Sequence, residues 1–366
     1  MTDLAAALHH AHPELDAVRD AAVEPVYLVG GAVRDLLLGQ PRADVDLVVE
    51  GDAAALAARL GGAAAEHERF GTVKVEVGGH EVDIASARTE TYPEPGALPV
   101  VAPADSVEVD LGRRDFTINA LAIPLAGEPR LIDPFGGRED LEAGLLRVLH
   151  ERSFEDDPTR AIRAARYGSR FGFALAPETY GLLRRADLAT VSADRRRAEL
   201  ERLAAEPTGR VGLGLLAGWG LIDLRDGGGE LMKTVEELLK QPEWAALVPR
   251  EQALIAAALG PEGAERVLAS MPRPRPGEAV EVAERRDPVE LILGRALGAS
   301  WLDRYLAVWS KVELEIAGAD LIAAGVPQGP AIGRGLRAAK SKRLEGEVSG
   351  REQELAAALE AARGVA

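Results

Sequence analysis

The residues that most constrain this chain are 26–50, VYLVGGAVRDLLLGQPRADVDLVVE. Val26–Val29 is a short apolar run that reads as a buried strand. Gly30 and Gly31 follow, then Ala32–Gly39, in which Val33, Leu36 and Leu37 recur at helical spacing, with Gly39 and Pro41 as the stop. A second apolar strand, Val45–Val49, carries Asp44 and Asp46 at its start. Residues two apart on a strand share a face. The two carboxylates therefore stand side by side, next to a glycine turn that opens a helix.

Paired carboxylates repel one another and are costly to hold together without a cation between them. Magnesium takes hard oxygen ligands, commonly one or two carboxylates plus substrate phosphates. A glycine pair at a helix start lets backbone N–H groups approach a phosphate, and Arg34, in the first turns of that helix, can add charge-assisted bonds. Separately these signals are weak, since a lone D-x-D is usually a solvated strand end and a lone Gly-Gly usually a turn. Within one strand–turn–helix–strand unit they point to nucleoside triphosphate chemistry.

GGAVRDLLLG followed by DVDLVV resembles the head-domain signature of the class II tRNA nucleotidyltransferases and bacterial poly(A) polymerases, within the DNA polymerase beta-like superfamily. Further motifs follow in order. Arg113-Arg114-Asp115-Phe116-Thr117-Ile118-Asn119-Ala120 pairs two bidentate phosphate donors with an acid and an amide. It is similar to the family's second motif, which implies that Arg113, Arg114 and Asp115 hold ribose and triphosphate. For Asn119 a structural amide and a binding role both stay open. Leu131–Leu149 resembles the third motif, read here as structural.

In Phe154–Phe171, Pro158 suits a first helical turn with Asp156 or Asp157 as its cap. Spacing alone reads Asp157 and Arg160 as an i,i+3 ion pair, with Arg163 and Arg166 continuing a solvated face. The resemblance implies instead that Asp157 and Arg160 hydrogen-bond the incoming base as a protein template, with Asp156 standing where many members have Glu, and Arg163 and Arg166 are candidate nucleotide-binding residues beside them. A carboxylate accepts from the exocyclic amine that adenine and cytosine share, and an arginine donates to a ring nitrogen or carbonyl. Guanine and uracil present the wrong groups there, and such mismatches are strongly rejected.

Around these motifs the chain reads as α+β. An amphipathic helix spans Leu4–Val23, a helix capped by Asp52 follows at Asp52–Leu60, and Thr72–Val77 and Glu81–Ala85 form a hairpin about Gly78-Gly79. Asp83 has two readings, a third metal ligand beside Asp44 and Asp46 or a solvent-facing acid beside Arg88; the residues leave both open. Arg88–Asp110, with Pro93, Pro95, Gly96 and Pro99, reads as a long irregular loop. In the family a flexible loop at this place is tied to addition of the final nucleotide.

From Phe173 onward the pattern is helical, with helices at Arg210–Leu224, Thr234–Leu247 and Trp301–Ala324. Met271–Ala279 reads as a proline-rich connector. The expected organisation is a nucleotidyltransferase head over 1–148, a helical neck over 149–225, and a helical body and tail over 226–366. Basic patches at Val191–Leu203 and Gly333–Glu352, the latter carrying Arg334, Arg337, Lys340, Lys342 and Arg343, are expected against the tRNA backbone.

The net charge of −16 argues against strong non-specific nucleic-acid affinity, so any RNA contact must be local. No cysteine is present, which removes disulfides and thiolate metal sites and fits a cytoplasmic protein. Neither a signal peptide nor a membrane-spanning apolar run is recognisable.

The resemblance implies template-independent addition of nucleotides, CCA or the terminal A alone, to the tRNA 3′ end from CTP and ATP. Asp44 and Asp46 would bind Mg2+, and an A-adding specialist would need a separate CC-adding enzyme in the same cell. A poly(A) polymerase is the runner-up, disfavoured by the non-basic C-terminus EQELAAALEAARGVA. The large helical half speaks against small-molecule nucleotidylation, and the intact carboxylates against an inactive RNA-binding module.

Overall fold

The computed structural model describes residues 4–40, 44–61, 65–67, 72–260 and 263–364. Pro41, one of the two expected helix stops, lies outside them. The chain divides into two compact units, Met1–Ile222 and Asp223–Ala366, and the class is α+β, as the patterning predicts.

The first unit is built on a mixed six-stranded sheet. Its strands are β1 (Val26–Val29), β2 (Val45–Val49), β3 (Ala65–His67), β4 (Thr72–Val77), β5 (His80–Ser86) and β8 (Ala122–Pro124), in the order β3-β4-β5-β2-β1-β8. Only β2 and β5 run parallel. Along β2 the alternation is functional. Val45, Leu47 and Val49 enter the core under α1 (Leu4–Ala11), α2 (Leu15–Ala21), α3 (Gly31–Leu37) and α4 (Ala53–Arg59). Val48 faces the opposite core with Val107 and Leu111 of α5 (Val107–Gly112). Asp46 shares the face of Val48 but lies nearer the strand's start, where its side chain is open.

Three expectations are corrected in this unit. Leu4–Val23 is not one helix: it breaks between α1 and α2, where Pro13 cannot continue the ladder. Arg88–Asp110 is not an irregular loop. It forms an antiparallel hairpin of β6 (Arg88–Thr91) and β7 (Val100–Pro103), then enters α5. Asp83 does not sit beside Arg88: it stands opposite Asp46 in the β2–β5 register, with Lys74 Nζ at 3.3 Å.

After β8, α6 (Gly137–Ala143) starts where Asp133 accepts from the Gly137 and Arg138 N–H groups. A Cβ at Gly137 would run into the Thr117 carbonyl oxygen, a backbone atom that cannot step aside. Gly137→Ala is therefore expected to cost about 1–3 kcal/mol through overpacking, read as a lower denaturant midpoint at unchanged slope. Strand β9 (Leu145–Leu146) pairs with β10 (Ala174–Leu175) around α7 (Ser153–Asp156) and α8 (Thr159–Phe171). The helices α9 (Pro177–Leu182), α10 (Ala193–Ala205) and α11 (Gly209–Gly218) complete the unit.

The second unit is helical among its described residues. Expected long helices are divided: Thr234–Leu247 is split between Gly228–Leu238 and Pro242–Ala245, and Trp301–Ala324 is broken after Ala307 and resumes at Gly318. The connector at Met271–Ala279 turns into the helix Pro276–Ala283, since proline is tolerated in a first helical turn. The tail patch is less basic than its sequence. Lys340 pairs with Glu284 at 2.7 Å, Lys342 with Glu360 at 3.1 Å, and Arg343 with Glu315 and Glu354. Arg334 and Arg337 remain exposed.

Candidate active site

A polar cavity of about 780 Å³ opens in the first unit. Its floor is the start of β2, its walls are α3, the 113–119 segment and α8, and the β6–β7 hairpin and α10 reach its rim. It gathers Asp44, Asp46, Gly31, Arg34, Arg113, Arg114, Asp115, Asn119, Asp157, Arg160, Arg163 and Arg166, which span more than a hundred residues of sequence. Gly30 and Asp83 do not line it.

The glycine pair is divided in role. Gly30 takes a positive φ of 68° and donates its N–H to the Leu121 carbonyl at 3.0 Å, so this N–H is not offered to the cavity. A Cβ there would meet Arg114 Nη1 at 2.5 Å. Gly30 thus makes the turn and admits the arginine, and Gly31 alone faces the cavity.

Asp44 and Asp46 are exposed at the floor. Desolvation pushes the Asp46 carboxyl above its usual range; Arg114 opposes this, and Asp83 and Asp44 add to it. Two neighbouring carboxylates facing a polar cleft are the donor set a hard divalent cation requires. Among the described residues no three Asp, Glu, His or Cys side chains are grouped to hold a metal, so the remaining ligands would come from water and phosphate, as is usual for magnesium.

Opposite the floor is a lattice of arginines and buried acids. Asp110, fully buried, accepts from Arg113 Nε at 2.9 Å and Arg114 Nη2 at 3.1 Å, which fixes both arginines from behind. Arg113 Nη1 also donates to Glu90 of the hairpin at 2.8 Å. Asn119 accepts from Arg34 at 2.6 Å and donates to Asp115 at 2.9 Å. Its amide sits between two cavity residues and orients both. Arg34 itself is buried, paired with Asp35 at 2.8 Å, its guanidinium 4.8 Å from the Phe171 ring centroid.

On α8, Arg163 lies between Asp115 at 3.1 Å and Asp157 at 3.2 Å. Burial works to raise both carboxyls. For Asp115, Arg163, the Asn119 amide and Arg160 outweigh it; for Asp157, Arg163, the Thr159 hydrogen bond and Arg195 do so, and both lie below the usual carboxylate range. A depressed carboxyl contributes stability above its unfolded value and loses it as pH falls through the folded one. The wild-type melting temperature is therefore expected to drop steeply below about pH 4, and Asp157→Asn to flatten that slope in a thermal-melt pH series.

Asp157 caps α8, accepting from Thr159 N at 3.1 Å and Oγ1 at 2.6 Å. Its side chain is not paired with Arg160, so the i,i+3 ion pair does not form. Arg160 is almost wholly buried, and Arg166 lines the cavity; neither has a carboxylate partner among the described residues.

Several cavity residues were not singled out from the sequence. Arg195, expected on a basic helix facing RNA, instead donates to Asp157 at 3.1 Å and to the Gly96 carbonyl at 2.8 Å. Glu90 and Tyr92 come from the stretch read as a loop, and burial, helped by Glu90 against Arg160, pushes the Tyr92 hydroxyl up to about 12. Arg170 lies one turn beyond Arg166. The length of the 88–110 stretch was the one signal available for Glu90 and Tyr92.

The model of the Poly A polymerase head domain matches residues 26–147. The A-adding tRNA nucleotidyltransferase of Halalkalibacterium halodurans is 45% identical over 194 residues, 50% of this chain and 45% of that protein. The chain thus spans less than half the length of this relative. The CC-adding tRNA nucleotidyltransferase of Deinococcus radiodurans is 36% identical over 89% of this chain and 87% of its own. The Thermotoga maritima CCA-adding enzyme complexed with tRNA superposes with a TM-score of 0.77 at 27% identity, covering 98% of each chain. With a cavity of this composition and relatives matched nearly end to end, the chain belongs to the class II tRNA nucleotidyltransferase family.

Proposed function

We propose that this protein adds nucleotides, the terminal A among them, to the 3′ end of tRNA, using ATP and CTP in a magnesium-dependent nucleotidyl transfer. The observation that carries the reading is the placement of an exposed carboxylate pair, Asp44 and Asp46, across one cavity from the arginine lattice of residues 113–115 and 157–166. The 45% identity to an A-adding enzyme over half of this chain supports the terminal A.

Asp44 and Asp46 would hold the divalent metal. When bound, it lowers the pKa of the attacking RNA hydroxyl and neutralises charge on the triphosphate. The chain's own residues do the positioning. Arg113 and Arg114, fixed by Asp110, present guanidinium groups to phosphate oxygens. Asp115, locked as a carboxylate by Arg163, offers an acceptor to a ribose hydroxyl. Arg166, with no acid opposing it, extends positive charge along the cavity for the triphosphate or the RNA backbone.

Base choice belongs to Asp157 and Arg160, which line the same cavity. We assign the head to 1–148, the neck to 149–225 and the tRNA-binding body to 226–366.

The test is a single-nucleotide extension. A tRNA transcript ending in CC is incubated with magnesium and each of ATP, CTP, GTP and UTP in turn. Growth by one residue with ATP, and none with GTP, is the expected result. Growth into a long ladder with ATP would point to a poly(A) polymerase, and failure with ATP but growth of a bare tRNA with CTP to a CC-adding specialist.

A further inference from the structure

Arg160 carries five N–H donors, and the structure shows where most of them go. Nη1 donates to Ser153 Oγ at 2.6 Å and lies 3.3 Å from His150 Nε2, and Nη2 donates to the Arg113 carbonyl at 2.8 Å. Nε has no hydrogen-bond partner although it is buried. The Nε hydrogen and one Nη2 hydrogen are thus left over, on a side chain that lines the cavity and is held by acceptors on three sides. A guanidinium otherwise turns freely on a long flexible stem, so what it reads depends on what fixes its plane.

We propose that His150 and Ser153 are positioning residues for nucleotide choice, holding the Arg160 guanidinium so that its remaining donors meet the incoming base. The inference rests on the base-reading role assigned above to Asp157 and Arg160. Of the two residues, His150 makes the arrangement conditional. Its Nε2 accepts from a cation only while it carries a lone pair, which requires the neutral ring with its proton on Nδ1.

The charged groups facing the ring are Arg160, Asp156, whose Oδ2 is 4.0 Å from Nδ1, and Arg152. Burial first, then Arg160, hold the imidazole below its ordinary value; Asp156 pulls it up and Arg152 down. At neutral pH the acceptor is present. Protonation sets a ring N–H against the guanidinium and releases one of its anchors.

The experiment measures kcat/KM for ATP and for GTP on a CC-ended tRNA transcript, and for CTP and UTP on a transcript ending at the discriminator base, over a pH series run downward from 7.5 until the His150 ring, followed by NMR, has titrated. The enzymes are wild type, His150→Gln, His150→Leu and Asp157→Asn. His150 is 39% exposed, so its substitution leaves the fold intact. Gln keeps an acceptor that does not titrate, and Leu removes it.

Loss of one hydrogen bond to a charged group predicts a fall in discrimination of about tenfold for His150→Leu, carried mainly by the KM of the accepted nucleotide. His150→Gln is expected to retain discrimination throughout the pH series, and wild type to lose it only on the acid side, where the His150 ring takes up its proton. Unchanged discrimination in His150→Leu with a loss in Asp157→Asn would overturn the inference alone. A loss in both His150 variants without pH dependence would reduce His150 to a structural part and also overturn it. Unchanged discrimination in Asp157→Asn would overturn the base-reading role itself.

Discussion

Asp46→Asn is expected to lower nucleotide incorporation by about 10³-fold or more, while the protein melts at the wild-type temperature or slightly above it. A metal clamp contributes several kcal/mol of transition-state stabilisation, and each ~1.4 kcal/mol is a factor of ten in rate. The amide keeps the shape of the carboxylate and removes the charge that would bind the cation. Stability moves the other way. Desolvation, with Asp83 and Asp44 behind it, raises the Asp46 carboxyl against the pull of Arg114, so its ionised form is disfavoured in the folded state. Removing that charge relieves a repulsion. Magnesium is expected to raise the melting temperature of wild type, by binding the folded state alone, and to leave the variant unmoved. Calorimetry with and without magnesium, beside the incorporation assay, checks both halves. A variant with near-wild-type incorporation would remove Asp46 from the chemistry.

Arg163→Met is the second large effect, and it falls on stability. Arg163 is the shared counter-charge of Asp115 and Asp157, both mostly buried, and reaches Glu199 at 3.7 Å as well. Burial alone would lower its guanidinium, but Asp115, Asp157 and Glu199 together hold it raised. Breaking a buried pair by removing one partner costs about 3–5 kcal/mol, because the surviving charge is left uncompensated. A unit of this size would then melt about 6 °C lower or more. Arg163→Lys is expected to recover only part of this, since one ammonium cannot present a planar fork to two carboxylates. Adding Asp115→Asn to Arg163→Met should restore part of the stability, since Asp115 is the acid left without an ion-pair partner among the described residues, whereas Asp157 keeps Arg195 at 3.1 Å. A double variant no more stable than the single would show that the cost lies in lost packing.

The parts of the site legible in sequence were those whose chemistry lies in consecutive residues. The Asp44–Asp46 spacing gave a shared face because a strand's period of two is insensitive to its surroundings, and β2 keeps that alternation with Val45, Leu47 and Val49 turned the other way. RRDFTINA and DDPTR were found as runs, and the fold brings both to one cavity.

What was missed depends on direction rather than on presence. Arg195, Arg196 and Arg197 are equivalent in sequence, yet helix geometry sends them three ways. Arg195 reaches Asp157, Arg196 donates to the Leu188 carbonyl at 3.2 Å, and Arg197 pairs with Glu201 at the surface. Gly30 read as a phosphate turn, but its N–H is committed to a residue 91 positions away, Leu121. The 88–103 hairpin was hidden because its strands are four residues each and the proline-rich connection between them dominates the composition. The paired lysines of the tail were invisible for the same reason as Arg195, since their acids are distant in sequence, Glu284 just past the end of the helix Pro276–Ala283 and Glu360 near the C-terminus.

The most direct measurement uses two tRNA transcripts, one ending at the discriminator base and one ending in CC, each incubated with the wild-type protein, magnesium and CTP, ATP or both, and sized on a gel. The CC-ended tRNA is expected to grow by a single A with ATP. Growth of the bare transcript by the full CCA would add that Asp157 and Arg160 accept both bases. Failure of both transcripts to grow with any nucleotide would contradict the claim that this cavity completes the tRNA 3′ end.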